Sequence, residues 1–305
     1  MNAAAHVRGW RAGWAAIALC AGAFGAQAAE PEDAPLSAVE LVGQALALEH
    51  GEGVARDPLR AAELYCRAAK LGNADAQFAL GWMYANGRGV PRDDALAALF
   101  FEAAAFQGHE HARRMLRYVG EPSSELPECL KVKIELAAQP EPEEDTWEKL
   151  YGELPPERRR VVDLVKKLAP DYSVDPRLAL AVISVESNFE PRARSPKNAQ
   201  GLMQLIPETA ERFNVRNPFD PVQNVRGGLA YLRWLLAYFK GSVALVAAGY
   251  NAGERAVDRF RGIPPYQETR AYVTRILAYF RKESHPYDSS VTAPSPLLDK
   301  IRTLR

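Results

Sequence analysis

The chain repeats itself. Gly51-Glu52-Gly53-Val54 returns as Gly87-Arg88-Gly89-Val90, Asp57 as Asp93, Ala61-Ala62 as Ala97-Ala98, Ala68-Ala69 as Ala104-Ala105, Gly72 as Gly108 and Ala76 as Ala112. The period is 36 residues, from 51 to 87. Small Ala residues at helical spacing let two helices approach closely, and the glycines supply the turns between them, so each repeat reads as a helix hairpin. One such hairpin cannot bury its apolar face alone; two with partial flanks make a short stack, near the minimum for stability.

These residues resemble the Sel-like branch of the tetratricopeptide-type repeats, from Ala38 to Gly120. The resemblance implies a protein partner held by the repeats; the plainer alternative is a module that only spaces or buttresses whatever follows. In the repeat frame Tyr65 matches Phe101, whereas Cys66 matches Glu102, a position that tolerates charge. Cys66 therefore belongs off the packed seam. It can pair with Cys129 in an oxidising compartment, or both can stay buried as free thiols; sequence does not supply the separation that decides.

The flanks of this module set compartment and boundaries. Arg8 and Arg11 precede an uncharged run from Ala12 to Ala29 ending in Ala26-Gln27-Ala28, the pattern of a secretory signal peptide over residues 1–28. The run is shorter than the ~20 apolar residues a spanning helix needs, so no transmembrane segment is expected after cleavage. Leu19 before Cys20 is larger than the residue a lipidation signal places there. Residues 138–156 hold six acidic side chains against one Lys among several prolines, the composition of a linker. The tail 284–305, rich in Ser and Pro, is expected to be loosely ordered.

The net charge of zero conceals a division. From Glu30 to Leu136 there are 17 acidic and 11 basic residues, −6; from Glu157 to Glu283 there are 13 and 21, +8. A basic, exported second half suits a polyanionic wall polymer. Its positive residues are scattered and match no nucleic-acid reading motif, so no nucleic-acid partner is expected.

Exclusion narrows the chemistry of residues 157–283. All five histidines and all three cysteines lie outside this segment, which removes Ser-His-Asp triads, Cys-His dyads and the usual zinc sites. Carboxylates remain for acid–base work, and neither a metal nor an organic cofactor is expected. Asp175-Pro176 reads as a helix start. Leu178, Val182, Val185 and Phe189 form its apolar stripe, widened by Ala179 and Ile183. Glu186 falls on the edge of that stripe. Glu190 precedes Pro191 and is steered out of the helix, so Glu186 occupies the last turn, where the dipole opposes negative charge. Both effects raise its pKa toward that of a useful general acid. A lone Glu in such a place is more often a structural ion-pair partner.

Four motifs in order change that weighting. Ala181-Val182-Ile183-Ser184-Val185-Glu186-Ser187-Asn188-Phe189, Ser195-Pro196-Lys197 with Gly201-Leu202-Met203-Gln204-Leu205, Tyr250-Asn251-Ala252-Gly253, and Pro264-Pro265-Tyr266-Gln267-Glu268-Thr269-Arg270-Ala271-Tyr272-Val273 succeed one another. The series resembles the soluble lytic transglycosylase catalytic domain, a relative of goose-type lysozyme, over about 125 residues. The resemblance implies a mainly all-α chain: a short helix-hairpin repeat solenoid followed by a lysozyme-like catalytic domain over 157–283.

The resemblance also implies roles. Glu186 matches the single catalytic glutamate, acid then base, acting on peptidoglycan glycan strands between N-acetylmuramic acid and N-acetylglucosamine to leave a 1,6-anhydro sugar. Ser187 and Ser195 match positions that orient the acid and the reacting sugar. Met203 and Gln204 match the segment lining the sugar subsites, where Gln204 can hydrogen-bond an acetamido group. Tyr250 and Asn251 match residues closing the cleft, and Tyr272 an aromatic near it. Each has a duller reading: Met203, Tyr250 and Tyr272 as core, Ser187 as a helix-end residue bonded to its own backbone. Two positions depart from the family pattern. Asn198 stands where Gly is common, a mild change because Asn tolerates left-handed backbone, and Gly249 stands where Ala is usual, adding freedom beside Tyr250. A lysozyme-like hydrolase on the same scaffold, or a non-catalytic glycan-binding adaptor acting through its repeats, are the competing readings. All place the chain in the periplasm or otherwise outside the cytoplasm, at a bacterial wall.

Overall fold

The computed structural model describes residues 36–132 and 153–298. The expected signal peptide, Cys20, most of the acidic linker and the last seven residues of the tail lie outside the described residues. Among those described there are twelve α-helices and isolated bridges but no strand.

The repeated residues are the punctuation of four helices. In α1 (Ala38–His50) Ser37 and Glu40 form a reciprocal capping box, and Gly51 closes the end at φ 77°. Asp57 and its repeat Asp93 are the N-caps of α2 (Pro58–Lys70) and α4 (Asp94–Phe106), accepting from the Arg60 and Leu96 backbone N–H groups. Asn73 caps α3 (Ala74–Asn86), and Gly87 ends it at φ 62° as Gly51 ends α1. Ala61, Ala68, Ala69, Ala97, Ala98 and Ala104 are fully buried where α1 meets α2, α2 meets α3 and α3 meets α4. The short α5 (Glu110–Met115) follows on α4. Cys66 on α2 is bonded to Cys129, with Cα atoms 4.8 Å apart, which clips the chain beyond α5 back onto the stack.

The second half contains α6 (Pro156–Leu168), α7 (Pro176–Ser187), α8 (Pro207–Arg212), α9 (Pro221–Tyr238), α10 (Val243–Ala252), α11 (Glu254–Arg259) and α12 (Gln267–Phe280). Asp175 and Asp220 cap α7 and α9, each ahead of a proline. Leu178, Ala179, Val182 and Ile183 on α7 are buried against the core that α9, α10 and α12 complete through residues such as Leu232, Val246, Val273 and Ile276.

Two features depart from expectation. The tail is anchored as far as it is described. Ser295 donates through its backbone to the Tyr238 carbonyl at 2.9 Å and through its hydroxyl to Asp258 at 2.6 Å, and Arg233 pairs with Asp288 at 2.8 Å. His285 is buried and accepts from the Asp175 backbone N–H at 2.8 Å. Composition foresaw little apolar burial, but these hydrogen bonds hold the segment instead. Nor does the acidic linker mark a break between separate cores: Phe260 and Tyr266 of the second half belong to the same apolar cluster as Leu41, Leu80 and Phe100 of the repeats. The described residues from Leu36 to Leu298 form one compact unit.

Candidate active site

Glu186 sits in the last turn of α7, which ends at Asn188 in left-handed backbone (φ 50°). The carboxyl is partly buried. Burial pushes it up to about 7; the Tyr272 hydroxyl and Arg275 favour the charged form, and Glu268 disfavours it. Glu268 is the other carboxylate Glu186 feels, and it is exposed and paired with Lys197 at 3.3 Å. The site thus has one desolvated acid rather than a buried pair.

Two tyrosines frame that acid. Tyr272 on α12 is fully buried, and its hydroxyl makes no hydrogen bond of ordinary geometry while lying close enough to Glu186 to stabilise the carboxylate. Tyr250 on α10 donates to the Met203 carbonyl at 2.8 Å, and its ring packs 5.2 Å from that of Tyr231. Burial first, then the charge of Glu186, raises both phenols well above their usual range, so each remains a proton donor. Asn251 accepts from the Thr269 hydroxyl at 2.7 Å, tying α10 to α12 beside the site.

The segment 193–205 forms a tight loop facing these helices. Its bridges join Arg194 to Gln200 and Gln200 to Leu205. Ser195 accepts from the Ala199 backbone N–H at 3.0 Å, and Asn198 adopts φ 62°, the left-handed backbone its side chain tolerates. The Gln204 amide nitrogen donates inward, to the carbonyls of Ala193 at 3.0 Å and Gly201 at 2.8 Å. Met203 is fully buried, its sulfur against Gly228, so its side chain fills the core while its carbonyl meets Tyr250. Ser187 donates to the Ile183 carbonyl at 3.2 Å, the local bond of a helix end. Gly249, instead of loosening Tyr250, lets α10 approach α9: a Cβ there would come within 2.8 Å of the Phe239 ring.

The structure therefore gathers Glu186, Tyr250, Asn251 and Tyr272, while Ser187, Ser195, Met203 and Gln204 shape the surrounding backbone. Asn224 on α9 was missed in the sequence. Fully buried, it accepts from the Met203 N–H at 2.8 Å and donates to the carbonyls of Gln200 at 2.9 Å and Pro218 at 2.8 Å. Its sequence signal is a polar side chain at the core register of α9, one turn before Gly228. His285, at the start of α7, is about 16 Å along the helix from Glu186 and takes no part. Among the described residues no three His, Cys, Asp or Glu side chains converge as metal ligands would. A concavity of about 650 Å³ lined by Gln200, Glu211, Asn214 and Arg216 does not include Glu186, so the site is assigned on its chemistry rather than on hollow volume.

Residues 163–273 match the Transglycosylase SLT domain, and residues 38–73 and 74–109 each match the Sel1 repeat. The chain thus carries a transglycosylase SLT domain preceded by Sel1 repeats. Among relatives, a transglycosylase of Enterobacteria phage PRD1 is 44% identical over 82 residues, covering 27% of this chain and 31% of the relative. The soluble lytic murein transglycosylase of Escherichia coli is 31% identical over 140 residues, covering 38% of this chain and 22% of the relative. The chain spans about a third or less of the curated relatives it matches. Among solved structures, the 70 kDa soluble lytic transglycosylase of Escherichia coli aligns at 19% identity and a TM-score of 0.35, over 82% of this chain and 36% of that one; so slight a likeness adds nothing to the geometry above.

Proposed function

We propose that the protein is a peptidoglycan lytic transglycosylase with Glu186 as general acid and then base. The observation that carries this reading is a single carboxyl group raised to about 7, flanked by one buried and one partly buried phenol, in a domain whose relatives are named lytic murein transglycosylases. Protonated near neutral pH, Glu186 gives its proton to the oxygen of the β-1,4 bond after N-acetylmuramic acid, and the C1–O bond of that sugar breaks, the oxygen leaving as the 4-hydroxyl of N-acetylglucosamine. The carboxylate left behind takes the proton of the muramic 6-hydroxyl, whose oxygen closes on C1. The product is 1,6-anhydromuramic acid and no water is consumed. The positive charge developing at C1 is stabilised by the substrate's own N-acetyl group, which stands in for the second carboxylate that most glycosidases supply.

The same reading places the protein in the periplasm, or otherwise exported to the wall, with the repeats holding a protein partner. The exported address rests on the arginine-led apolar run of residues 1–28, and the partner on the exposed Val39, Leu46, Leu59 and Trp82 of the repeat helices. Among the described residues no helix is long and apolar enough to cross a membrane.

The test is mass spectrometry of muropeptides released from purified sacculi by the mature protein and by Glu186→Gln. Anhydro products from the wild type alone support the proposal. Reducing-end products would make the enzyme a hydrolase, and intact sacculi would leave a glycan-binding adaptor.

A further inference from the structure

Helix α12 brings Tyr272 to Glu186 and Thr269 to Asn251, yet it lacks a cap of its own: Tyr266 at its N-cap offers no side-chain acceptor. The acceptor comes from the repeats. The Gln107 side-chain oxygen, at the end of α4, accepts from the Gln267 backbone N–H at 3.0 Å. The Gln107 amide nitrogen in turn donates to the Gln77 side-chain oxygen at 2.8 Å. Gln77 is fully buried, and its nitrogen donates to the Pro265 carbonyl at 2.7 Å and the Ala69 carbonyl at 3.3 Å. Every amide nitrogen in this chain faces an oxygen and every amide oxygen faces an N–H, so both side chains have one consistent orientation.

The surroundings hold the same place rigid. Phe106 stacks on Tyr266 with ring centroids 4.0 Å apart, and Arg270 donates to the Lys70 carbonyl at 2.8 Å. Gly72 lies so close beneath the start of α12 that a Cβ there would come within 2.9 Å of the Gln267 nitrogen and 3.0 Å of its Cα. At Gly108, its counterpart in the next repeat, a Cβ would meet nothing. The repeats thus approach α12 at one defined point, and that point is its first turn.

We propose that Gln107, held by Gln77, is a positioning residue for the reaction: from the repeat module it caps α12 and so keeps Tyr272 and Thr269 in register with Glu186 and Asn251. The effect on activity rests on the lytic transglycosylase reading; the capping does not. An uncapped first turn frays, and that turn carries Thr269 and leads directly into the turn that carries Tyr272. The repeats are then part of the active-site architecture as well as a stack beside it.

The test compares full-length wild type, Gln107→Ala and Gln107→Glu. Glutamate keeps an acceptor for the Gln267 N–H and adds a favourable charge at the helix N-terminus, but sets a carboxylate oxygen against the Gln77 side-chain oxygen where the amide nitrogen had donated. In Gln107→Ala, amide exchange across residues 266–276 is expected to quicken roughly fivefold. Its kcat should fall several-fold with KM little changed, and the basic limb of its pH profile should move upward as Tyr272 loosens from Glu186. Gln107→Glu should restore most of both. Wild-type exchange and kcat in Gln107→Ala would overturn the proposal. Were the wild type to release no anhydro products, the exchange measurement would still decide the capping, and only the assigned reaction would fall.

Discussion

The Tyr250 hydroxyl is bonded to the Met203 carbonyl at 2.8 Å, which joins α10 to the 193–205 loop directly beside Glu186. That carbonyl belongs to a fully buried residue. Tyr250→Phe would leave it without a partner, at a cost of about 1–3 kcal/mol. The variant is expected to melt lower than wild type and to lose kcat more than it gains in KM, because the loop and α10 no longer hold one spacing around the acid. Calorimetry and steady-state glycan release check both parts.

The raised Glu186 carboxyl costs stability wherever it must ionise. Its folded value of about 7 exceeds the ordinary glutamate value of 4.5, so the folded state binds more protons between these limits. The contribution of Glu186 is therefore whole below pH 4.5 and is lost as pH rises through about 7. Glu186→Gln removes the titration. Its unfolding free energy should match wild type near pH 4.5 and exceed it increasingly up to pH 8, by an amount of order 2 kcal/mol, with the melting temperature rising in step. A difference that did not vary with pH would contradict the environment described for this carboxyl.

Glu268 raises Glu186 without being buried beside it. Glu268→Gln should leave the catalytic rate at acid pH within about threefold of wild type. It should also shift the basic limb to lower pH, since the neutral acid is less favoured once the second negative charge is gone. A loss on the scale of Glu186→Gln would instead make Glu268 a second catalytic carboxylate. A profile of kcat/KM between pH 4 and 9 separates the two.

Much of this fold is written locally. Asp57, Asp93 and Asp175 announce helix starts because capping is a matter of a few adjacent atoms, and the recurring glycines announce the ends. Glu186 was legible for the same reason: the stripe of α7 and the proline at 191 fix both its face and its turn. What stayed hidden depends on partners distant in the chain. Gln77 and Pro265 are 188 residues apart, and nothing local says that a glutamine in a repeat will meet the start of the last helix. The resemblance implies a sugar-subsite role for Gln204, and no local pattern announces that its amide nitrogen is bonded to the Ala193 and Gly201 carbonyls. The tail was misjudged because composition measures apolar burial, and Ser295 and Asp288 are held by polar contacts.

The central claim is that one carboxyl cleaves the strand without water. Digestion of sacculi in water enriched in heavy oxygen, followed by mass spectrometry of the released muropeptides, tests it directly. The account predicts unlabelled anhydro products, lighter than their reducing counterparts by one water, whose release is lost in Glu186→Gln. Reducing-end products carrying the heavy oxygen would contradict it.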